Sequence, residues 1–364
     1  MALKVVLLSK AMLVNSTHSK AELLGKAVDL TLITPVSWPY YVEEKESYSK
    51  NYSHIKIKTC FEGKNHFHFY RGLSHYLREL RPDIIHIDEE PYSIVTAQVL
   101  RIAKKYGAKT ICFTWQNIYK KYPFPFKQLE HYVYNNIDAI IAGNREAITV
   151  LRQKGYSKMI EVIPQFGVDM STFYPREENR RQQSGKFKLY LGYVGRIVEE
   201  KGLIIVLEAL RKLPKVHFTI VGTGPLESKL KNKVMNWGLS AQISFAGGVS
   251  SLEVADVISS FDALILPSVT QANWKEQFGR VLPEAMACKV AVIGSNSGEI
   301  PHVIGDAGLV FKERNVAECK ACIEKLLDKS TLEAYQDAGR SRALAFFTQE
   351  SIVSQTLNVY NKIG

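Results

Sequence analysis

The sequence predicts an α/β protein with two doubly wound, Rossmann-like domains. Short apolar strands alternate with amphipathic helices from the first strand at Lys4–Leu8 onward, which is the order of a parallel sheet covered by helices. The alternation starts again at Lys188, after a stretch rich in charged residues, Gln and Ser that is typical of a linker. The length of 364 residues allows two or three domains. We therefore expect a first domain over residues 1–170 and a second over 185–345.

Individual elements can be assigned in chain order. In the first half, strands are predicted at 4–8, 30–34, 83–87, 109–114, 139–142 and 160–163, and helices at 21–27, 71–80, 92–106, 126–135 and 145–154. In the second half, strands are predicted at 188–194, 216–221, 263–266 and 309–311, and helices at 203–210 and 349–360. Residues 37–58, rich in aromatic and charged side chains, predict a loop and an edge strand.

Two histidines stand out within 61–69, where His66 and His68 alternate with phenylalanines. Side chains two positions apart share one face of a strand, so the pattern predicts a polar strand face. A metal pair is the weaker alternative, because no third ligand is evident.

Composition argues against several classes of protein. No run of 18 apolar residues is present, so no membrane-spanning helix is expected. The first residues are interpreted as a strand and not as a signal peptide. Five scattered cysteines suit a reducing cytosol, and we expect a cytoplasmic protein. Cys319 and Cys322 lie in a helical pattern without a second pair, which argues against a zinc site.

The net charge of +11 is unevenly distributed, since residues 1–170 contain 23 basic and 16 acidic residues. A basic first domain suits an anionic partner such as a membrane surface or a lipid diphosphate, so peripheral membrane association is an expectation. A basic soluble protein without such a site is the alternative. No nucleic-acid-binding module is legible, and no nucleic acid partner is expected.

The stretch 274–287, with the sequence W-K-E-Q-F-G-R-V-L-P-E-A-M-A, carries the clearest chemistry. It follows an apolar strand, and a helix is predicted to begin between Gly279 and Pro283, because proline is tolerated in a first turn. Glu276 then lies in the loop and Glu284 in the first helical turn. Two carboxylates beside helix-start amides suit a ligand with hydroxyls and phosphates, such as a nucleotide sugar. Alternatively, Glu284 is a favourable first-turn acid and Glu276 a solvated loop charge.

Residues 193–202, Y-V-G-R-I-V-E-E-K-G, form a second charged loop between a strand and a helix. Gly195 permits close backbone approach, Arg196 offers a planar fork for phosphate, and Lys201 offers a point charge. The alternative is a surface Arg and Lys at the start of a helix.

These segments together resemble the family 4 glycosyltransferases, which are retaining enzymes of the GT-B fold. The shared motifs are E-x7-E around F-G followed by E-A-M-A, then G-R-x4-K-G, I-V-G-x-G-P-L, and a segment at 163–169 similar to I-P-x-G-V-D. The resemblance implies two domains facing a central cleft, with the nucleotide sugar on the second domain and the acceptor on the first. It also implies that a C-terminal helix, here within 346–364, crosses back to the first domain.

The resemblance assigns roles to individual residues of the second half. Glu284 would hold the ribose diol, and Glu276 would lie near the sugar hydroxyls. Arg196 and Lys201 would contact the donor diphosphate. Further contacts to the sugar, diphosphate or base fall on Gly195, Gly222, Gly224, Gly248, Val249, Phe278, Gly279, Arg280 and Val281.

One segment of the first half also carries the resemblance. At 82–91 the sequence P-D-I-I-H-I-D-E-E-P is similar to a family segment that often contains H-x-H-E-P. The second His of that pattern usually touches the donor sugar, and the aligned residue here is Asp88, which becomes a candidate catalytic residue. His86 is interpreted as structural. The alternative is that these acids are ordinary surface charges. The aromatic and cationic loop 115–123 is a candidate acceptor site.

The resemblance therefore predicts a retaining hexosyltransferase that moves a sugar from a nucleoside diphosphate donor, with a UDP-sugar favoured, to a hydroxyl of a glycan or lipid-linked saccharide. The chain contains no D-x-D motif, and Arg196 and Lys201 can stabilise leaving-group charge, so neither a metal nor another cofactor is expected. A same-fold epimerase or sugar-phosphate synthase, and a non-catalytic nucleotide- or carbohydrate-binding protein, are the alternatives.

Overall fold

The chain folds into two compact units. The computed structural model describes residues 2–14, 17–39, 50–176, 178, 186–250 and 253–364. The first unit comprises Met1–Gly167 together with Gln349–Gly364, and the second comprises Val168–Thr348. The last segment of the chain therefore belongs to the first unit. Residues 40–49 of the predicted aromatic loop and most of the predicted linker lie outside the described residues.

The first unit is built on a parallel sheet of seven strands in the order β3-β2-β1-β6-β7-β8-β9. A separate antiparallel pair joins β4 to β5. The strands are β1 (Lys4–Leu8), β2 (Asp29–Pro35), β3 (Ser53–Ile57), β4 (Thr59–Cys60), β5 (Phe69–Tyr70), β6 (Ile84–Ile87), β7 (Lys109–Thr114), β8 (Ala139–Ala142) and β9 (Met159–Val162). The helices are Ser19–Gly25, Leu73–Leu80, Ile94–Ala103, Phe126–Asn136, Arg145–Gln153 and Gln349–Ile363.

Both faces of this sheet are buried, as expected when helices cover a parallel sheet on each side. Side chains alternate along β1, so Leu8 packs in a core with Val95 while Leu7 packs in another with Tyr360. Tyr360 lies on the C-terminal helix, and its hydroxyl is 2.8 Å from Nδ1 of His86 on β6. His86 is fully buried in this contact, which agrees with its interpretation as a structural residue.

The second unit contains a parallel sheet of six strands in the order β12-β11-β10-β13-β14-β15. The strands are β10 (Leu189–Val194), β11 (Val216–Val221), β12 (Ile243–Gly247), β13 (Ala263–Leu266), β14 (Ala291–Ser295) and β15 (Leu309–Phe311). The helices are Leu203–Leu210, Glu227–Asn236, Val254–Ser259, Val281–Ala287, Ile300–Ile304, Val316–Lys325 and Lys329–Phe346, and a 3-10 turn spans Glu199–Lys201.

Strand order places one special position in each sheet. The chain builds outward from β1 in one direction and then returns to the other side of β1 with β6, and it does the same at β10 and β13. Ligands of doubly wound sheets bind beyond the carboxyl ends of the two strands at this switch point. The loops after β1 and β6, and after β10 and β13, are therefore the positions where function is expected.

The strand predicted over 61–69 is wrong. Only Phe69–Tyr70 pairs, with Thr59–Cys60, and the residues between them form turns. The extended backbone ends directly after β4, where Phe61 has φ of +58°, and Gly63 follows with φ of +79°. His66 and His68 therefore do not share a strand face.

Candidate active site

The loops after β10 and β13 are joined by backbone contacts at the switch point of the second sheet. The 3-10 turn Glu199–Lys201 ends at Gly202, whose φ is +62°. A Cβ atom at Gly202 would lie 2.2 Å from the carbonyl oxygen of Pro267, so only glycine allows the two loops to approach this closely. The Val269 amide donates to the Glu200 carbonyl at 2.8 Å. These contacts fix the position of Lys201 at the end of the turn.

Lys201 and Glu276 form an ion pair at this position. The ammonium Nζ lies 2.5 Å from Oε2 of Glu276, and the Ser268 hydroxyl donates to the same oxygen at 2.8 Å. The ammonium also lies 5.0 Å from the centroid of the Trp274 ring. The Glu276 side chain is 11% exposed and that of Lys201 is 19% exposed. Glu276 is therefore not a solvated loop charge, and this part of the alternative interpretation is wrong.

The loop after β14 supports Glu276 from behind. The Glu299 amide donates to the Glu276 carbonyl at 3.1 Å. Gly298 has φ of +55°, and a Cβ atom there would lie 1.9 Å from the same carbonyl oxygen. The Ser295 hydroxyl donates to the Ser268 carbonyl at 2.5 Å. Sequence analysis missed Ser268, Ser295 and Gly298. Their only sequence signal is their position directly after β13 and β14, at the carboxyl edge of the sheet.

Glu284 lies in the first turn of the helix Val281–Ala287, as predicted. Its carboxylate accepts a hydrogen bond from Nε of Arg280 at 2.8 Å, while the rest of the Arg280 side chain is 73% exposed. Burial raises the pKa of Glu284, and the charge and hydrogen bond of Arg280 oppose that rise. A buried carboxylate with one exposed cationic partner retains acceptor capacity for hydroxyl donors. Gly279 adopts φ of +76° just before this helix.

The glycines after β11 have a structural explanation that the sequence did not suggest. A Cβ atom at Gly222 would lie 1.9 Å from the Gly195 carbonyl oxygen, and one at Gly224 would lie 2.3 Å from the Ile197 carbonyl oxygen. The Gly222 amide donates to the Gly247 carbonyl at 2.7 Å. The G-T-G sequence therefore lets the loops after β10, β11 and β12 stack backbone against backbone.

The remaining predicted positions of the second unit are less enclosed. Arg196 and Gly248 are exposed, and Val249 is half-buried. No hydrogen bond or ion pair to another described residue engages the Arg196 guanidinium. Phe278 packs edge-on against Phe347, with ring centroids 5.9 Å apart. The structure thus unites Lys201 with Glu276, and Arg280 with Glu284, and leaves Arg196 directed to solvent.

The switch point of the first sheet also brings polar side chains together. The Ser9 hydroxyl, after β1, donates to Oδ2 of Asp88, after β6, at 2.6 Å. The Gln165 amide group lies 2.9 Å and 3.0 Å from the two carboxylate oxygens of Asp88. Lys20 donates to the Gln165 carbonyl at 2.7 Å, and burial lowers the pKa of its amine. Asp88 is buried, so the alternative of an ordinary surface acid is wrong.

Glu89 is more deeply buried than Asp88. Its side chain is 2% exposed, and Oε2 lies 2.6 Å from Nζ of Lys10. Oε1 lies 3.5 Å from Nε2 of His68. Burial raises the pKa of Glu89 to about 7, although Lys10 opposes the rise. Burial, with the charge of Lys10, lowers the pKa of His68 to about 4. His68, which the sequence suggested as part of a strand face, instead packs against this carboxylate.

Glu90 completes the acidic run by holding the loop after β7. Its carboxylate accepts hydrogen bonds from the Thr114 hydroxyl at 2.6 Å and from the Trp115 amide at 2.9 Å. The three consecutive acids thus have three separate sets of partners, and only their common position after β6 was evident from the sequence.

The described residues contain neither a group of metal ligands nor a membrane-spanning helix. Within the described ranges, no three His, Cys, Asp or Glu side chains are grouped so that they could hold a metal ion. Cys319 and Cys322 are buried in the helix Val316–Lys325. No helix in the described part of the chain has the length and apolar character needed to cross a bilayer.

Comparison with protein families identifies both halves of the chain. The family model described as Glycosyltransferase Family 4 matches residues 14–171, and the model described as Glycosyl transferases group 1 matches residues 175–342. The MMP α-(1→4)-mannosyltransferase of Mycolicibacterium hassiacum is 27% identical over 212 residues, which cover 56% of this chain and 49% of that protein. The chain spans about half or less of the length of the first curated relatives it matches.

Solved structures with the same fold cover nearly the whole chain. Sucrose-phosphate synthase of Thermosynechococcus elongatus is 19% identical with a TM-score of 0.74, and the match covers 99% of this chain and 98% of that one. Alr3699/HepE of Anabaena, solved in complex with UDP, is 14% identical with a TM-score of 0.73, and the match covers 99% and 100% of the two chains. From its two sheets, its motifs and these matches, the chain belongs to the family 4 glycosyltransferases and has the GT-B fold.

Proposed function

We propose that this protein is a retaining glycosyltransferase that transfers a hexosyl group from a UDP-sugar to an acceptor hydroxyl, without a metal ion. The observation that carries the proposal is the pairing of Lys201 with Glu276 at the switch point of the second sheet. A cation and a carboxylate held together there meet the two needs of a nucleotide sugar, since one suits phosphate and the other suits sugar hydroxyls.

The proposed donor site divides the ligand among three groups of residues. Glu284 accepts hydrogen bonds from the ribose diol, and its burial strengthens such bonds by excluding competing water. Glu276 accepts hydrogen bonds from the transferred sugar. Lys201 and the exposed Arg196 lie at the diphosphate, with the amides of 278–281 nearby. Gly222 packs against the Gly195 backbone and donates to the Gly247 carbonyl, which holds together the loops beside which the base is expected.

The proposed chemistry is electrostatic. As the bond between the sugar and the diphosphate breaks, negative charge develops on the leaving phosphate, and fixed cations lower the energy of that state more than that of the ground state. Lys201 is suited to this because the turn, Glu276 and Trp274 hold its ammonium in place before the reaction. Attack from the face of the departing phosphate, which accepts the acceptor proton, would retain the anomeric configuration.

UDP is the first nucleotide to test, because a protein of the same fold was solved in complex with UDP. A thermal-shift screen of UDP-, GDP- and ADP-sugars identifies the donor, since a ligand at a hundred times its dissociation constant adds about 2.7 kcal/mol of stability. A new glycoside with the donor's anomeric configuration, seen by NMR, supports a retaining transferase. Release of an isomerised nucleotide sugar would indicate an epimerase, and binding without turnover of any acceptor would indicate a binding protein.

A further inference from the structure

The first unit carries five phenylalanines that we call the aromatic face: Phe61, Phe67 and Phe124, which are exposed, and Phe69 and Phe126, which are half-buried. Phe124 is 80% exposed, Phe61 59% and Phe67 45%. The rings of Phe61 and Phe69 lie 6.1 Å apart between centroids, and those of Phe67 and Phe126 lie 4.7 Å apart. Exposed apolar groups scattered singly need no explanation, whereas a contiguous patch marks an interaction surface.

An apolar groove continues the aromatic face. It has a volume of about 400 Å³ and is lined mainly by Phe69, Ile94, Gln98, Arg101, Leu129 and Tyr132. Leu129 lies one helical turn after Phe126, so the groove and the aromatic face share one side of the helix Phe126–Asn136. The backbone holds this side together, since the Ile94 amide donates to the His66 carbonyl at 3.1 Å.

The loop that presents Phe124 is anchored from within the unit. The Lys154 ammonium lies 4.6 Å from the centroid of the Tyr122 ring and 2.6 Å from the Glu130 carboxylate. Tyr122 also stacks on Tyr92, with centroids 4.2 Å apart. Phe124 is therefore exposed on a loop whose neighbouring ring, Tyr122, is held in place by Tyr92 and Lys154.

The charges around the aromatic face are almost all positive. The exposed cations near it are Lys64, Arg101, Lys120, Lys121 and Lys127. Segments 61–69, 94–103 and 119–132 contain only two acids. One is Glu130, which is buried against Lys154, and the other is the exposed Glu62. An apolar centre with a cationic rim is complementary to a surface that is apolar below and anionic above.

We infer that the aromatic face docks the protein on the surface of an anionic lipid bilayer. Phe124 and its aromatic neighbours enter the headgroup region, where aromatic rings are favoured. Lys120, Lys121 and Lys127 then lie against acidic headgroups, whose surface potential attracts cations within about one Debye length. Neither apolar insertion nor a basic patch alone suffices for stable binding. Together they provide the two signals that peripheral attachment needs.

Sedimentation of the full chain with lipid vesicles tests this inference without any sugar donor. The chain should bind equimolar phosphatidylcholine–phosphatidylglycerol vesicles at least about tenfold more tightly than phosphatidylcholine alone, and added salt should remove the difference. The double variant Phe67→Ser/Phe124→Ser and the double variant Lys120→Glu/Lys121→Glu should each weaken binding by about tenfold or more.

Matched substitutions on the second unit serve as controls. Met235→Ser, the control for the phenylalanine variant, removes an apolar side chain that is 65% exposed. Lys212→Glu/Lys215→Glu changes the net charge as much as Lys120→Glu/Lys121→Glu does, but on the second unit. Both controls should bind vesicles like the parent chain. Circular dichroism and UDP calorimetry should be unchanged in all variants, because none touches the switch point of the second sheet.

Three results would overturn the inference. The parent chain could fail to bind mixed vesicles, or the control variants could weaken binding as much as the aromatic-face variants. Alternatively, sedimentation velocity could show that Phe67→Ser/Phe124→Ser converts an oligomer to a monomer, which would assign the face to a second copy of the chain. If the parent chain binds UDP but not mixed vesicles, only the docking surface is rejected, and if it binds mixed vesicles but not UDP, only the donor site is rejected.

Discussion

The two switch points of this protein are built alike and differ in how far their charges are buried. Each places a lysine after the first central strand and a glutamate after the neighbouring strand, as Lys10 with Glu89 at 2.6 Å and Lys201 with Glu276 at 2.5 Å. A serine hydroxyl also donates to a carboxylate at each switch point, Ser9 to Asp88 and Ser268 to Glu276.

The difference lies in the carboxylates. The Glu89 side chain is 2% exposed and that of Glu276 is 11% exposed, while both lysines are 19% exposed. Glu89 also belongs to a run of three acids and packs against His68. Burial therefore raises its pKa to about 7, against an ordinary value of 4.5. Glu276 instead contacts the Ser268 hydroxyl and the ammonium of Lys201, which lies beside the Trp274 ring.

This comparison separates two uses of the same geometry. A buried charge pair contributes mainly through the cost of breaking it, because removal of one partner leaves an uncompensated charge. A pair at a more open position can exchange part of its interaction for a charged ligand. We therefore expect Lys10 and Glu89 to matter most for the stability of the first unit, and Lys201 and Glu276 to matter most for transfer.

The largest effect is expected for Lys10→Met, which should lower the free energy of unfolding. Glu89 then loses its cation in a buried site, which should cost about 3 kcal/mol or more of the free energy of unfolding at pH 8. Because the pKa of Glu89 is raised to about 7, the native state binds a proton more readily than the unfolded state. Stability from this group is present at low pH and is lost as pH rises through 7. The loss should therefore be smaller at pH 6. Urea titrations at both pH values measure it.

Two further variants control this experiment. Lys10→Met/Glu89→Gln should recover much of the lost stability and most of its pH dependence, because no buried charge remains. Lys201→Met should cost less, since Glu276 is less buried. Equal losses in Lys10→Met and Lys201→Met would show that the two pairs do not differ in the way proposed.

The second effect concerns turnover in Glu276→Ala. If the carboxylate contacts the transferred sugar more strongly in the transition state, kcat should fall by at least about a hundredfold. The affinity for free UDP should stay nearly unchanged, because UDP lacks the sugar. Initial rates and UDP calorimetry measure both quantities, after circular dichroism has shown a folded chain. Glu199→Ala, an exposed acid on the neighbouring turn, should keep parental turnover. If both variants keep it, the Lys201–Glu276 pair is only structural.

A smaller effect is expected on nucleotide affinity in Glu284→Ala. Hydrogen bonds to charged groups contribute roughly 1.5–3 kcal/mol, so loss of the ribose contact should weaken UDP binding by about tenfold or more. Glu227→Ala is a matched control, because Glu227 is also a first-turn acid paired with a cation four positions away, Lys231. Calorimetry that gives the same UDP affinity for both variants would favour the alternative in which Glu284 serves only its helix.

The sequence predicted the fold better than it predicted the contacts among the candidate residues. Strand and helix alternation, a period-based signal, identified both sheets. Lys201 and Glu276 were each assigned to the donor, yet no pattern shows that residues 75 positions apart share a hydrogen bond. Ser268 and Gly298 carry no motif of their own, and their importance depends on β13 and β14 lying side by side.

Burial was the property that sequence reasoning could not supply. The run Asp88-Glu89-Glu90 resembles a surface segment in isolation, because charged residues are rarely buried without partners. Its partners Ser9 and Lys10 follow β1 and Thr114 ends β7, so they reach it only after the sheet has formed. Similarly, alternating Phe and His over 61–69 predicted a strand, whereas turn residues and packing against other segments decided the conformation.

The last prediction is that a chelator leaves turnover unchanged. The proposed leaving-group stabilisation relies on Lys201 and Arg196, and the sequence lacks the D-x-D pattern that would bind a divalent ion beside the diphosphate. The densest acidic run, Asp88-Glu89-Glu90, belongs to the first unit, where each carboxylate is already engaged by neighbouring side chains. Initial rates with EDTA should therefore equal those without it. Arg196→Ala should lower kcat in EDTA and in added Mn²⁺ alike. Loss of turnover in EDTA that Mn²⁺ restores would contradict the metal-free mechanism.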